Sequence, residues 1–413
     1  MQSECSYLIL DETYRSSSRL LFARLVRVLG DFDLAEDALQ DAVRAAAIQW
    51  REKGVPDIPE AWLFQVARNY GISMMRKERK LLPLNDQHQT DFEPPSEFGD
   101  ELLRLAFLCC HPAISPDAQV ALTLREVCEL TTEEIAAAYL VPTQTIAQRI
   151  VRAKSKIRAA QIPFELPSPD ELPARNAAIL KTIYLVFNES YASSTGKAIV
   201  RQDLMSLAIH LGRQLFALSS EPEAGGLLAL MLIHQARNNT RTTPDGDLIL
   251  LEHQDRRLWN RQTLDEASSL ITSSFSSGRA GPYSVQAAIA SVYADAPSFA
   301  ETDWDEIIGL YDLLFRLEPS PVVILNHAVA IAMRDGPEAG IQRIDRLLSS
   351  GVLSGYHRAY AARGELHWRR NDAVSALSDF KRALDFVRQE PERRYLNQRI
   401  LEIATVDVDS QGP

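Results

Sequence analysis

Apolar residues recur along most of this chain at intervals of three and four, and alternating apolar and polar runs are scarce, so helices are expected nearly throughout. Residues 15–80 read as several helices with a turn at Gly54-Val55-Pro56-Asp57-Ile58-Pro59, and residues 101–160 are helical again. Between them, residues 81–100 (LLPLNDQHQTDFEPPSEFGD) have no helical pattern, three prolines and an acidic bias, the composition of a linker. A second proline-rich joint, IPFELPSPDELP, covers 162–173. Helix then follows helix to about 402, apart from a short strand or hairpin at Asp245-Gly246-Asp247-Leu248-Ile249-Leu250-Leu251, and the tail VDVDSQGP reads as frayed. The expected fold is all-α: a module over 1–80, a linker over 81–100, a module over 101–160, a joint over 161–173 and a larger helical domain over 174–405.

The second module carries the sharpest local signal. In ELTTEEIAAAYLVPTQTIAQRIVRAKSKIR, Thr131 and Glu134 have the S/T-x-x-E spacing of a capping box, which starts a helix. Pro142 ends it, because proline offers no N–H and disfavours helical backbone at the residue before it. A new helix is expected from about Thr143 to Arg158. At ~100° per residue, Ile146, Ile150, Ala153 and Ile157 share one face, and Thr145, Arg149, Arg152 and Lys156 share an adjoining one. A core-facing stripe beside a basic stripe is what a recognition helix in a major groove needs. The five basic and no acidic residues between 149 and 158 could by themselves mark only a solvated face; the short turn and the paired stripes point to DNA.

Composition limits the classes open to such a chain. At 413 residues it exceeds the ~250–300 that one core supports, so more than one domain is expected. No stretch approaches the ~18 uninterrupted apolar residues of a membrane span, and the start of the chain lacks the layout of a signal peptide, so a cytoplasmic protein is expected. The four cysteines, Cys5, Cys109, Cys110 and Cys128, make no disulfide framework. Cys109-Cys110-His111 with Cys128 invites a zinc reading, but no CxxC pair exists and the neighbours Leu105, Phe107 and Leu108 favour buried core. No nucleophile elbow, P-loop or HExxH motif is present, and no catalytic residue, metal or cofactor is expected.

A net charge of −11 is unusual for a free-standing nucleic-acid binder. Residues 1–160 alone carry 19 basic and 23 acidic side chains, so any DNA contact must be local and held in place by another protein.

The first module supplies a surface for such a partner. In GDFDLAEDALQD the side chains of Leu34, Ala38, Ala42 and Ala45 form an apolar side, and Asp33, Asp37, Gln40 and Asp41 gather opposite. Next, PEAWLFQVARNYGISMMRKERK brings Trp62 and Phe64 into the same helix as Arg76, Lys77, Arg79 and Lys80. Aromatics near a basic run grip single strands in many proteins, although such aromatics are more often core.

Taken in order, these segments resemble the extracytoplasmic-function (ECF) sigma factors, with a region 2, a linker and a region 4. LGDFDLAEDALQDAVRAA looks like their polymerase-binding helix, AWLFQVARN with its basic run like their −10 reading segment, and residues 103–158 like region 4. Further on, IYLVFNESYASSTG, ALMLIHQARNNTR, DGDLILLEHQDRRLW, GPYSVQAAIASVYADAP and SPVVILNHAVAIA look like the sigma group with a long tetratricopeptide-like extension.

The resemblance implies that Asp33, Asp37, Gln40 and Asp41 face core RNA polymerase. It implies that Trp62, Arg68, Asn69, Arg76, Lys77, Arg79 and Lys80 read the −10 element, with Asn69 at an extruded base. Thr143, Thr145, Gln148, Arg149, Arg152 and Lys156 would contact the −35 element, and the linker's Asp91, Glu93 and Glu97 would pass through the polymerase channel. The chain departs from the family at Tyr70, Gly71, Ile72 and Ser73, where ARN is commonly followed by a basic residue and an Asp, and at Ala147, which is Arg in some members. A stand-alone helix-turn-helix regulator is the alternative class, but it has no use for the acidic helix.

In the extension, Tyr360, Gly364, His367, Ala376, Phe380 and Ala383 stand at tetratricopeptide spacing; Ala328, Ile331, Gly340, Ile344 and Leu347 repeat part of it 36 residues earlier, and Trp304, Ile307 and Tyr311 form a further remnant. Stacked hairpins of this kind offer a concave surface, so a regulatory protein or an intramolecular contact is expected there. Asn188, Glu189, Ser190, Tyr191, Ser193 and Ser194 read as a capped loop between helices. Asp245, Asp247 and Glu252 read as a turn, lacking the full calcium loop of an EF-hand.

Overall fold

The first helices are α1 (Gln2–Leu29), α2 (Phe32–Lys53) and α3 (Pro59–Arg79). They belong to a computed structural model in which residues 2–79, 100–139, 141–191 and 201–410 are described; Lys80 and the linker residues Asp91, Glu93 and Glu97 lie outside them. Asp31 separates α1 from α2 and caps the latter, its Oδ1 accepting from the Asp33 and Leu34 N–H groups at 2.9 and 3.0 Å. The buried side of α2 is Phe32, Ala35, Ala38, Leu39, Ala42, Ala46 and Trp50. Small side chains there let α2 approach both its neighbours, α1 and α3. Gly71 has the same purpose on α3: a Cβ there would stand 2.5 Å from Leu29 Cδ1, so this departure from the family pattern is a packing requirement.

The second helical group is α4 (Asp100–Cys109), α5 (Pro116–Glu126), α6 (Thr132–Tyr139) and α7 (Thr143–Ala159). The capping box forms at the start of α6, where Glu134 N–H donates to Thr131 Oγ1 at 3.2 Å and Thr131 N–H to Glu134 Oε2 at 2.8 Å. Pro142 is the N-cap of α7, and Ile146, Ile150, Ala153 and Ile157 are buried as the helical phase requires. Cys109, Cys110 and Cys128 form no disulfide and are buried; burial pushes the Cys109 and Cys110 thiols up, the state of an inert core cysteine rather than a reactive one.

After the proline-rich joint, α8 (Leu172–Tyr191) runs across the division between two compact units, Met1–Leu185 and Val186–Pro413. Its first turns pack on the first unit, where the Cys110 thiol donates to Thr182 Oγ1 at 3.2 Å and the Arg175 guanidinium donates to the Phe107 carbonyl. Asn188, Glu189, Ser190 and Tyr191 are its last turn, not a loop, and the Ser190 hydroxyl turns back to the Phe187 carbonyl at 2.6 Å. Ser193 and Ser194 lie outside the described residues.

The second unit continues with α9 (Gln202–Ser219), α10 (Pro222–Ala236), α11 (Arg261–Ser276) and α12 (Pro282–Asp295). Residues 242–248 form a hairpin turn with one isolated bridge, Thr242 to Leu248, and no strand grows from it. The carboxylate of Asp247 is taken by Arg394 at 2.7 Å and that of Glu252 by Arg369 at 2.7 Å, which accounts for these acids without calcium.

Six helices complete the unit: α13 (Trp304–Leu317), α14 (Pro321–Asp335), α15 (Pro337–Ser349), α16 (His357–Arg369), α17 (Ala373–Leu384) and α18 (Glu390–Ser410). Each packs on the next, so the chain forms consecutive helical hairpins. The repeat positions explain the packing. Ala376, Phe380 and Ala383 are fully buried, as are Ala328 and Ile344. A Cβ at Gly340 would stand 2.5 Å from the Ala332 Cβ, so glycine sets the α14–α15 approach. Phe380→Ala is expected to cost about 3–5 kcal/mol, because it removes a fully buried aromatic ring from the hairpin core; chemical denaturation of the full chain measures it.

Candidate polymerase and nucleic-acid interface

The acidic and basic strips expected from the sequence take definite positions on α2, α3 and α7. On α2, Asp33, Asp37 and Gln40 are exposed and Asp41 is half-buried. They are not equivalent. Asp41 has only a loose partner on its own helix, Arg44 at 3.9 Å. Asp33 is already engaged by α7: Lys154 Nζ lies 3.0 Å from its Oδ1 and Arg158 Nη2 3.3 Å from its Oδ2.

On α7 the five basic residues separate by helical phase. At ~100° per residue, Thr145, Gln148, Arg149, Arg152 and Lys156 occupy one arc, while Lys154 and Arg158 fall on the far side of the buried stripe. Thr143, Gln148, Arg152 and Lys156 are exposed, and Thr145 is half-buried. Arg149 lies 3.4 Å from Asp117 of α5, a carboxylate 71% exposed, so the pair is wet and easily exchanged. Val151, 61% exposed, lies between this arc and Arg158.

Lys154 is a structural cation. Its side chain is 11% exposed and lies 3.0 Å from Glu126 Oε1, on a residue whose side chain is 4% exposed. Burial opposes the ammonium, but Glu126 and Asp33 outweigh it and hold Lys154 above the usual lysine range. Lys154→Met leaves Glu126 buried and unpaired, and is expected to destabilise the helix-turn-helix by about 3–5 kcal/mol in urea denaturation; Arg158→Ala, at a half-exposed site, is expected to cost under about 1 kcal/mol.

On α3, Trp62 is half-buried and meets Trp50 edge-on with ring centroids 5.6 Å apart, so its ring is partly committed to the core. Asn69, Arg76 and Lys77 are exposed and Arg68 is half-buried. Spaced at ~100° per residue, Gln65, Asn69, Ser73 and Arg76 share one exposed face; Gln65 joins it without having stood out in the sequence, and Ser73 stood out only as a departure from the family pattern. Arg79 lies in the last turn of α3. Among the described residues no group of three or more His, Cys, Asp or Glu side chains is arranged to hold a metal, and no helix is long and apolar enough to cross a membrane.

Comparisons with known proteins agree with this arrangement. Sigma-70 region 2 matches residues 13–81, Sigma-70 region 4 matches residues 104–157, and a family of unknown function, DUF6596, matches residues 175–275. An uncharacterized protein of Rhizobium meliloti (strain 1021) is 40% identical over 392 residues, covering 92% of each chain. The crystal structure of yeast Tom70 superposes with a TM-score of 0.39 at 11% identity, over 98% of this chain and 86% of that one, a likeness too low to define a shared fold.

With α1–α3 matching region 2 and α4–α7 matching region 4, the chain belongs to the sigma-70 family: it is a transcription initiation factor, not an enzyme, and its partners are core RNA polymerase and promoter DNA. Within that family it is an ECF-type sigma factor with a tetratricopeptide-like extension, the stacked hairpins of α13–α18.

Proposed function

We propose that α2 docks on core polymerase through Asp33, Asp37, Gln40 and Asp41, that α3 reads the −10 element, and that α7 reads the −35 element. The observation that carries this division is the phase separation on α7, where Gln148, Arg152 and Lys156 form an exposed row one turn apart beside a fully seated apolar stripe. Trp62, Arg68, Asn69, Arg76, Lys77, Arg79 and Lys80 act on the −10 side, and Asn69 suits a flipped base because an amide both donates and accepts. Thr143, Thr145, Arg149 and the exposed row act on the −35 side.

The charge layout makes this binding dependent on polymerase. DNA affinity grows with the number of cations that neutralise phosphates, at a salt slope of about −0.9 per contact. Two short basic strips on a unit of net negative charge supply few contacts, so polymerase provides the rest by holding both readers on one duplex. The unit Val186–Pro413 is the regulatory element in this reading, working through a bound protein or through its own sigma modules. Truncation after Leu185, assayed by promoter-dependent transcription with core polymerase, tests that part: a changed output supports it, and an unchanged output contradicts it.

A further inference from the structure

The second unit gathers arginines where its nearby acids are committed elsewhere. Arg237 ends α10, Arg241 stands one short turn further on, and Arg256 returns to their side from the following loop. Hydrogen bonds fasten these segments together. Trp259 Nε1 donates to Thr240 Oγ1 at 2.9 Å, the Asn260 N–H to the Ala236 carbonyl at 3.0 Å, and the Ile249 N–H to the Arg241 carbonyl at 2.8 Å. Arg241 and Arg256 are buried, at 7% and 8% exposure, while Arg237 is half-buried and Arg261, the first residue of α11, is exposed. Three acids of the intervening loop already have arginine partners: Asp247 has Arg394, Glu252 has Arg369 and Asp255 has Arg257, each at 2.7 Å.

Helix ends answer only part of this charge. Arg256 Nη1 donates to the Ala296 carbonyl at 2.6 Å and to the Tyr293 carbonyl at the end of α12, and its guanidinium lies 5.1 Å from the Trp259 ring centroid. Its Nη2 is buried and has no hydrogen-bond partner among the described residues. Arg237 Nη2 lies 3.1 Å from His234 Nδ1; a guanidinium only donates, so that nitrogen accepts and the imidazole is neutral. Burial, with Arg237 and Arg241 beside it, pushes His234 down; burial, with Arg261 and Arg237 beside it, pushes Arg256 down. The carboxyl ends of α10 and α12 offset about half a charge each, against three arginines. A positive excess remains.

We propose that Arg237, Arg241 and Arg256 form a binding site for a small dianionic oxyanion, inorganic phosphate or a phosphate monoester, with Arg261 adding attraction from the surface. Two of the three arginines are too buried to meet a duplex, which selects a small ligand over a polynucleotide. A carboxylate brings two oxygens and one charge. A phosphate monoester brings three oxygens and close to two charges, the better match to three guanidinium forks, and Arg256 Nη2 is the donor left for it. The binding step stands on the second unit alone. Its effect on transcription rests on the reading of that unit as regulatory, and makes the concentration of this anion the signal.

The test is isothermal titration of the full chain with inorganic phosphate and, separately, with glycerol 3-phosphate, against sodium chloride at matched ionic strength. One saturable site of about millimolar affinity or tighter is expected for phosphate and not for chloride. Tighter binding of the ester assigns the site to an esterified ligand, and equal or weaker binding assigns it to the free ion; both support the site. Arg237→Gln is expected to weaken binding about tenfold or more, because it removes a charge-assisted donor. Arg261→Glu, at an exposed position, is expected to weaken it about two- to fivefold at low salt and less at high salt. Should Arg237→Gln lose helix content, Arg261→Glu decides. Absence of a saturable site, or affinity equal in the wild-type chain and the folded variants, overturns the proposal. Promoter-dependent transcription with core polymerase, run with and without saturating phosphate, then separates the two readings: saturable binding with unchanged output keeps the site and contradicts only its regulatory use.

Discussion

Arg152→Ala combined with Lys156→Ala is expected to lower promoter-directed transcription about 100-fold or more while leaving the complex with core polymerase intact. Both side chains are exposed on α7, so their removal costs the fold little. A base-edge contact is worth about 1–3 kcal/mol and each 1.4 kcal/mol is about tenfold, so one lost base contact and one lost phosphate contact reach that range. Arg149→Ala is expected to do less, since Arg149 must first leave Asp117. Transcription from a promoter template, run beside a gel-filtration assay for the polymerase complex, separates the two effects. Equal loss in both assays would contradict the assignment of α7 to DNA.

The reverse pattern is expected for Asp37→Arg. Asp37 is exposed on α2, so the substitution leaves the three-helix core untouched. Against a basic partner surface it replaces an attraction by a like-charge contact costing several kcal/mol, so polymerase association should weaken about 10²–10³-fold. Helix content and thermal unfolding of the free chain should not change. Binding that survives Asp37→Arg would show that α2 is not the docking helix.

These two substitutions could be chosen from sequence because their logic is local. A capping box, a proline stop and a 3.6-residue period are short-range signals, and Thr131, Pro142 and the Ile146–Ile157 stripe behave as those signals require. The acidic side of α2 was legible for the same reason. The destinations of Lys154 and Arg158 were not: in the sequence they are two more members of a basic run, and only a partner more than 120 positions earlier, Asp33 or Asp31, separates them from Arg152 and Lys156. Trp62 shows the same limit, because its commitment to Trp50 is a tertiary fact. The start of α1 at Gln2, well before residue 15, also escaped a reading tuned to strong amphipathic periodicity, although Leu10 already belongs to the core. Gly71 looked like a defect in a family motif and is instead a point where α3 comes close to Leu29.

The most direct measurement of the central claim is to sequence the 5′ ends of transcripts made in vitro by purified core RNA polymerase on genomic DNA from the protein's own source, with and without the full chain. The account predicts a discrete new set of start sites, each preceded by two shared elements at constant spacing, which appear only when chain and polymerase are both present. Start sites identical to those of polymerase alone would contradict it.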